Sequence, residues 1–258
     1  MIKRREFCLS FSAALLLPKR IVVAQRGSVF LAKTHQHSRG QTMPYRLFVP
    51  QGYNKRKKYP LVLWLHGGAG RGNDNLKQIS GGNTIGSHVW TEPQNQSKHS
   101  CFVVAPQCPN NGLWATLGTA KPTEQLLHVL ELLQDLQRTF SVDAQRLYVT
   151  GQSMGGFGTW SVIAQHPRLF AAAIPICGGG DESEASKLTQ MPIWAFHGEK
   201  DEAVSVERSR KMIAAIKRAG GLPKYTEYTG ADHVVWDKVF SEPDLLSWVF
   251  AQNRIAGS

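Results

Sequence analysis

A serine framed by glycines is the first candidate for chemistry. Ser153 lies in Gly151-Gln-Ser-Met-Gly-Gly156, a pattern short enough to arise by chance. Its surroundings make it specific, because the apolar run Arg146–Thr150 precedes it and a helix over Gly155–Gln165 is predicted to follow. A strand, a tight turn and a helix in this order lift the hydroxyl above a sheet, where the helix dipole favours negative charge. The pattern predicts Ser153 as a nucleophile; the alternative is a serine that only caps the helix.

His233 is the predicted base for this serine. A hydroxyl attacks a carbonyl only after a base takes its proton, and an acid holds that base in the required tautomer. Beyond the helix that follows Ser153, which ends near His166, the histidines are His197 and His233. His197 ends an apolar run and precedes Gly198, so we expect it to brace a turn. His233 follows the last predicted strand, where a base would lie; the alternative is a surface loop residue.

Asp201 is the predicted acid. It follows the apolar run Ile193–Phe196 by a short loop, and this placement gives the chain order of nucleophile, acid and base. The rival carboxylates are Asp181, Glu182, Glu199 and Asp232. The last of these is adjacent to the base in sequence, so its side chain would rarely reach the far ring nitrogen. The alternative for Asp201 is a solvated loop charge.

A second glycine-rich loop predicts the groups that would stabilise negative charge. The apolar run Leu61–Leu65 leads into His66-Gly-Gly-Ala-Gly70. Acyl transfer builds charge on a carbonyl oxygen, and backbone N–H groups stabilise it where small residues let the substrate approach. We expect the N–H of Gly68, or alternatively of Ala69, as one donor and the N–H of Met154 as the other; a plain tight turn is the alternative. The side chains expected to brace this loop are His66, Arg71, Asn73 and Asp74.

Short apolar runs alternate with amphipathic helices along the chain. The predicted strands are Ser28–Gln36, Pro44–Val49, Leu61–Leu65, Phe102–Ala105, Arg146–Thr150, Ala171–Ile176, Ile193–Phe196 and Lys224–Tyr228. The predicted helices are Thr123–Phe140, Gly155–Gln165, Val206–Arg218 and Asp244–Ala251. The central runs are almost continuously apolar, as in parallel strands covered on both faces, and the first two runs suggest an antiparallel edge hairpin. The predicted fold class is α/β, with a mostly parallel sheet of about eight strands and helices on both faces.

These motifs together resemble a known family. They are His66-Gly-Gly-Ala-Gly-Arg-Gly-Asn-Asp-Asn75, Ala105-Pro-Gln-Cys108, Gly151-Gln-Ser-Met-Gly-Gly156, His197-Gly-Glu-Lys-Asp201 and His233-Val-Val-Trp-Asp-Lys238. The chain is similar, over about residues 40–252, to the predicted-peptidase and esterase branch of the α/β hydrolases. That branch includes polyhydroxybutyrate-depolymerase-like and feruloyl-esterase-like carboxylesterases. The resemblance implies hydrolysis of small or aryl esters, without a cofactor, by the Ser153, His233 and Asp201 triad through an acyl-enzyme.

Two other functions stay open beside the esterase. The same triad could cleave amides, as in a serine peptidase of the prolyl-oligopeptidase type, or the fold could serve as a non-catalytic binding module. Trp114 and Trp236 follow strand ends and are candidates to stack on a substrate ring, with buried packing as the alternative. His35 and His37 could share a strand face, but the sequence shows no third ligand, so no metal site is predicted.

The N-terminal residues suggest export. Lys3-Arg4-Arg5 precedes the short apolar stretch Phe7–Leu17 and the run Ile21–Ala24. A basic region, a short apolar region and a small residue are typical of a signal peptide, here with twin-arginine character; a disordered or docked arm is the alternative. We expect a signal over residues 1–24, a single catalytic domain over 25–258, a secreted or periplasmic location, and no stable membrane insertion once the signal is removed.

Charge and cysteine content limit the remaining partners. The chain has 258 residues and a formal net charge of +11 at pH 7, but its compact basic cluster, Lys55–Lys58, lacks interleaved aromatics. We therefore expect a small-molecule ester as partner and no nucleic acid. Spacing does not choose a disulfide among Cys101, Cys108 and Cys177, and a buried thiol is the default for each.

Overall fold

The computed structural model describes residues 29–116 and 121–254, and these residues form one eight-stranded sheet. The strands are β1 (Leu31–Gln36), β2 (Thr42–Phe48), β3 (Tyr59–Leu65), β4 (Phe102–Pro106), β5 (Val142–Gln152), β6 (Ala172–Ile176), β7 (Trp194–Gly198) and β8 (Lys224–Tyr228). Their spatial order is β1-β2-β4-β3-β5-β6-β7-β8. β2 is antiparallel to both β1 and β4, and the other neighbours are parallel. The mostly parallel sheet and its antiparallel edge hairpin are confirmed.

The central strands are buried along their whole length. Every residue of β3, β4, β6 and β7 is shielded from solvent. Because both faces of such strands are covered, no position selects a polar residue, which explains the continuous apolar runs. Edge strand β1 is exposed at every position except His35.

Helices cover both faces of the sheet. They are α1 (Thr84–His88), α2 (Pro93–Lys98), α3 (Glu124–Thr139), α4 (Met154–Gln165), α5 (Glu207–Arg218), α6 (Trp236–Phe240) and α7 (Leu245–Phe250). Successive strand residues point to opposite faces, so Leu63 joins one hydrophobic cluster and Trp64 the other. Helices α3, α4 and α5 pack in the first cluster, and α6 and α7 pack in the second.

The differences from the predicted elements have local causes. Helices α1, α2 and α6 were not predicted, because five or six residues are too few to show a helical period. Strand β5 begins at Val142, four residues before the predicted start, and its first part includes exposed polar residues that hide the strand pattern. The helix predicted from Gly155 begins at Met154.

The three described cysteines carry free thiols. Cys101, Cys108 and Cys177 are each buried and form no disulfide, which agrees with the expectation of a buried thiol at each position. Cys8 and the predicted signal lie outside the described residues. Over residues 29–116 and 121–254, no helix has the length and apolar character needed to cross a membrane.

Candidate active site

The structure brings Ser153, His233 and Asp201 into one hydrogen-bonded line. The Nε2 atom of His233 lies 2.9 Å from Ser153 Oγ, and its Nδ1 atom lies 2.6 Å from Asp201 Oδ2. The three residues follow the carboxyl ends of β5, β7 and β8. This edge of a parallel sheet is where reacting groups of α/β folds gather.

Ser153 occupies a strained turn between β5 and α4. Its φ of 54° and ψ of −117° are unusual for a residue with a side chain, and its N–H donates to the Ile176 carbonyl at 2.8 Å. Such strain persists only where the surrounding structure enforces it. Here the turn directs the hydroxyl towards His233.

The glycines around Ser153 are required by close backbone packing. A Cβ atom on Gly155 would lie 1.8 Å from the Leu65 carbonyl oxygen, and one on Gly156 would lie 2.3 Å from that of Ile176. On Gly151 it would lie 2.5 Å from the Gly155 carbonyl oxygen. Strand β3 and the loop after β6 thus pack directly against the turn.

Asp201 is held by backbone donors in a fully buried position. Its Oδ1 atom accepts from the N–H groups of Ala203 at 3.0 Å and Val204 at 2.7 Å, and its side chain has no exposed surface. Both Asp201 oxygens are therefore fixed, one by the backbone and one against His233. This geometry leaves the carboxylate little freedom to rotate.

The rival carboxylates have local partners away from the base. Asp181 Oδ1 accepts from the Ser183 N–H, Glu199 accepts from the Gly230 N–H, and Asp232 accepts from the Val234 N–H. Glu182 is exposed at the start of the 3-10 helix Glu182–Leu188. These local backbone contacts, and the exposure of Glu182, are typical of residues in loops and helix caps.

The predicted oxyanion loop lies against the serine turn. A Cβ on Gly155 would also approach the His66 carbonyl oxygen at 3.0 Å, so the two turns are in contact. The Gly67 N–H donates to Asn83 Oδ1 at 2.9 Å, whereas among the described residues no acceptor takes the N–H of Gly68. Gly68 is half-buried and Met154 is the first residue of α4, so both N–H groups remain available as donors.

His66 braces this loop. Its Nε2 atom accepts from the Cys108 N–H at 3.0 Å, and its Nδ1 atom lies 2.6 Å from the Gly67 carbonyl oxygen. Burial lowers the pKa of His66 to about 4, so the ring is neutral near pH 7. With one nitrogen accepting and the other donating, it has no free position for proton transfer.

The other expected braces differ in their contacts. Asp74 Oδ1 accepts from the N–H groups of Leu76 and Lys77 and from Gln107 Nε2, and Arg71 Nε donates to the Gly68 carbonyl at 3.2 Å. Asn73 is exposed and lines a cavity of about 420 Å³, and it makes no hydrogen bond within the described residues. Asn73 is thus not a brace.

Trp114 does not present a stacking surface. The side chain is completely buried, and its Nε1–H donates to the His66 carbonyl at 3.0 Å. Its ring packs edge-on against His66 with centroids 5.1 Å apart. The interpretation of Trp114 as a substrate contact therefore does not fit its position, and it supports the oxyanion loop instead.

Trp236 packs on the candidate base. It is 7 % exposed, and its ring meets that of His233 at 86° with centroids 5.2 Å apart. An indole in edge-to-face contact restricts the tilt of the imidazole. The buried-packing alternative fits Trp236 better than stacking on substrate.

Several supporting residues were missed from the sequence. Gln152, inside the serine motif, donates through Nε2 to the Gly82 carbonyl at 2.7 Å, and Asn83 holds Gly67. These contacts tie the serine turn and the oxyanion loop to residues 82–83. In the sequence, the one indication of these contacts was a polar residue, Gln152, at the end of an apolar strand.

Residue types that can bind metals meet at two places, one in the candidate active site and one at the edge of the sheet. Ligand atoms of Cys177, Asp201 and His233 all lie within 4.8 Å of one another. Burial raises the pKa of the Cys177 thiol, so it stays protonated and is a poor ligand. At the sheet edge, His128 Nε2 lies 3.0 Å from His35 Nδ1, and His35 Nε2 lies 2.8 Å from Asp135.

The chain is similar to known proteins over most of its length. A model of the dienelactone hydrolase family matches residues 106–238, just over half of the chain. The crystal structure of a thermostable esterase is 43 % identical in sequence, with a TM-score of 0.84, and the match covers 88 % of this chain and 64 % of that one.

Curated relatives are more distant. The probable feruloyl esterase C of Aspergillus terreus is 27 % identical over 177 residues, which cover 69 % of this chain and 62 % of that protein. The poly(3-hydroxyalkanoate) depolymerase C of Paucimonas lemoignei is 30 % identical over 174 residues, covering 64 % and 39 %. This chain therefore spans less than two thirds of the length of each of these relatives. It belongs to the dienelactone hydrolase family of the α/β-hydrolase superfamily, and the predicted resemblance to that superfamily is confirmed.

Proposed function

We propose that the chain is a serine carboxylesterase that cleaves small or aryl carboxylic esters through an acyl-enzyme. The observation that carries the proposal is the line from Ser153 Oγ through His233 to Asp201, with distances of 2.9 and 2.6 Å. Both fall in the range of hydrogen bonds that move or hold a proton. The availability of the Gly68 and Met154 N–H groups supports it.

The first half of the reaction forms a bond to the serine. His233 Nε2 takes the proton of Ser153 while Oγ attacks the ester carbonyl. The oxygen of the tetrahedral intermediate accepts from the N–H groups of Gly68 and Met154. The intermediate then collapses: the bond between the carbonyl carbon and the alcohol oxygen breaks, the imidazolium, stabilised by Asp201, protonates that oxygen, and the alcohol leaves behind the acyl-enzyme.

The second half returns the enzyme to its starting state. His233 takes a proton from water, and the hydroxide attacks the acyl carbon held on Ser153. Collapse of the second tetrahedral intermediate releases the acid and returns the proton to Oγ. His233 is suited to both steps because its ring is 21 % exposed and can reach an incoming alcohol or water.

The substrate class is proposed from the relatives. Names of matched proteins include feruloyl esterase, poly(3-hydroxyalkanoate) depolymerase and acetylxylan esterase. All three act on carboxylic esters, so we propose that this chain does too. A panel of p-nitrophenyl esters graded by acyl length, methyl ferulate, acetylated xylan and proline-containing dipeptide anilides would rank the choices. Preference for the anilides would favour a peptidase.

Labelling tests the nucleophile directly. A fluorophosphonate should add one equivalent to the wild-type protein, read by intact mass, and none to the Ser153→Ala variant. Turnover of p-nitrophenyl acetate by that variant should fall by on the order of 10⁴-fold. Ser161→Ala is a matched control, because Ser161 lies on the same helix and is buried. A wild-type protein that neither labels nor turns over any ester would support the binding module.

We also propose export, on the pattern of residues 1–24. Fusing these residues to a reporter that is active only outside the cytoplasm would test it. A reporter that remains inside would contradict it.

A further inference from the structure

A second histidine faces the acid of the triad. His197 lies at the end of β7 with no exposed surface, and its Nε2 atom is 3.2 Å from Asp201 Oδ2. The same oxygen lies 2.6 Å from His233 Nδ1. One carboxylate oxygen is therefore shared by two imidazoles, only one of which contacts Ser153.

The surroundings of His197 determine which nitrogen carries the proton. Nε2 lies 2.9 Å from the Val204 carbonyl oxygen and 3.2 Å from the Asp201 carboxylate. Both are acceptors, so Nε2 must carry a hydrogen. Burial lowers the pKa of His197, so the ring is neutral and Nδ1 is unprotonated.

Ser209 supplies the donor for the unprotonated nitrogen. Its Oγ lies 2.7 Å from His197 Nδ1 and 3.1 Å from the Gly178 carbonyl oxygen, and it is fully buried on α5. A hydroxyl has one proton, and the shorter contact is to a nitrogen that needs a donor. The hydroxyl of Ser209 therefore selects the tautomer in which the Nε2–H of His197 donates to the Val204 carbonyl and lies beside Asp201 Oδ2.

We propose that His197, held in one tautomer by Ser209, is a positioning residue: its Nε2–H donates to the Val204 carbonyl, lies beside Asp201 Oδ2 and limits the negative charge that this carboxylate presents to His233. The proposal rests on the proposed function of the triad. It places an N–H group on each side of the acid, that of His197, oriented by Ser209, and that of His233, which links Asp201 to Ser153.

The other ionisable groups near His197 have partners of their own and do not take over the role of its N–H beside Asp201. Glu227 lies opposite His197 in the register of β7 and β8, and its carboxylate accepts from Arg210 at 2.9 Å and from Tyr225 at 2.7 Å. The Arg210 pair lowers the pKa of Glu227, so it is ionised but compensated. On the β6 side, the Cys177 thiol is neutral because burial raises its pKa. The carboxylate of Asp232, in the loop before His233, accepts from the Val234 N–H at 2.9 Å.

The test compares two replacements of His197. In His197→Leu the N–H group beside Asp201 is lost, whereas in His197→Gln the side-chain amide can still place an N–H there. For His197→Leu we expect kcat on p-nitrophenyl acetate to fall about tenfold with KM changed less than twofold. The fall follows from lost positioning, because His197 holds the Val204 carbonyl and the Val204 N–H fixes Asp201 Oδ1. The apparent pKa on the acid limb of kcat/KM should rise by about half a pH unit, because the carboxylate stabilises the His233 imidazolium more strongly.

His197→Gln should keep the wild-type acid limb, and Ser209→Ala should shift it in the same direction as His197→Leu. The matched control is Ser87→Ala, which removes another buried hydroxyl that lies 3.0 Å from a histidine Nδ1, that of His88. It should leave the profile unchanged. A loss of activity in His197→Leu with an unmoved acid limb would mean a purely structural role and would overturn the proposal.

Nitrogen NMR of the histidine-labelled full chain tests the tautomer without any turnover. His197 Nδ1 should resonate as an unprotonated ring nitrogen and Nε2 as a protonated one. A proton on Nδ1, alone or together with one on Nε2, would overturn the proposal even if His197→Leu fails to fold. If wild-type protein hydrolyses no ester, the proposed function fails, while this spectrum still decides the tautomer.

Discussion

Replacing Asp201 by Asn should disable the base while keeping the shape of the site. Asp201 Oδ1 accepts from two backbone N–H groups, those of Ala203 and Val204. In the variant the amide oxygen must occupy this position, because an NH₂ group there would face two donors. The amide nitrogen therefore takes the place of Oδ2, 2.6 Å from His233 Nδ1.

This orientation forces the wrong tautomer on His233. The amide donates to Nδ1, so the ring proton moves to Nε2, which lies 2.9 Å from Ser153 Oγ. A protonated Nε2 cannot take the serine proton. Loss of a correctly oriented acid costs on the order of 10⁴-fold in turnover, or about 5.5 kcal/mol of transition-state stabilisation.

The assay is steady-state hydrolysis of p-nitrophenyl acetate, together with the rate of fluorophosphonate labelling. Both rates should fall in Asp201→Asn while the thermal unfolding curve remains cooperative. Asp232→Asn is the matched control, because this acid lies beside His233 in sequence and accepts the local N–H of Val234; its rates should stay within about twofold of wild type. Rates within tenfold of wild type in Asp201→Asn would refute the argument from the two backbone donors.

Three further changes test other parts of the structure. Gly155→Ala should abolish turnover and lower the unfolding temperature, because its Cβ would lie 1.8 Å from the Leu65 carbonyl oxygen; a wild-type melting curve would contradict this. Burial lowers the pKa of His128 to about 4 in the folded protein, below the value near 6.5 in the unfolded chain. The folded state therefore favours the neutral ring, and the stability that this contributes at pH 7 is lost as the pH falls. The free energy of unfolding should therefore drop by about 2 kcal/mol from this residue between pH 7 and pH 5, and urea titrations should show a smaller drop in His128→Gln. Trp236→Leu should lower kcat with little change in KM, because the ring packs on His233; a rise in KM confined to aromatic esters would instead indicate stacking on substrate.

The candidate triad could be predicted because backbone geometry limits its sequence. The turn at Ser153 admits only glycine where an added Cβ atom would lie 1.8 to 2.5 Å from a neighbouring carbonyl oxygen, so the motif records a packing requirement. Burial on both faces likewise makes a strand such as Leu61–Leu65 continuously apolar, which marks where it ends. Strand ends then bring Asp201 and His233 to the same edge of the sheet.

Contacts between distant side chains could not be predicted in this way. Trp114 follows a strand end, where a substrate contact and a loop brace have the same sequence signal, and only the fold brings it beneath His66. His128 lies on α3 and meets His35 across 93 positions of the chain. A helical stripe indicates burial of a residue but not its partner on another element. Strand β5 was shortened in the prediction because its first residues, Asp143–Gln145, face solvent or lie near it.

The choice of base among the strand-end histidines follows from the partners of their ring nitrogens. His66, His197 and His233 all come shortly after a strand or at its end. Both nitrogens of His66 contact backbone groups, and both nitrogens of His197 face fully buried partners or backbone oxygens. Only His233 combines a carboxylate at Nδ1, a hydroxyl at Nε2 and an exposed fraction of 21 %. The base must exchange protons with an alcohol and with water, so a ring enclosed on every side cannot act as the base. The two buried histidines instead orient the oxyanion loop, in the case of His66, and the acid, in the case of His197.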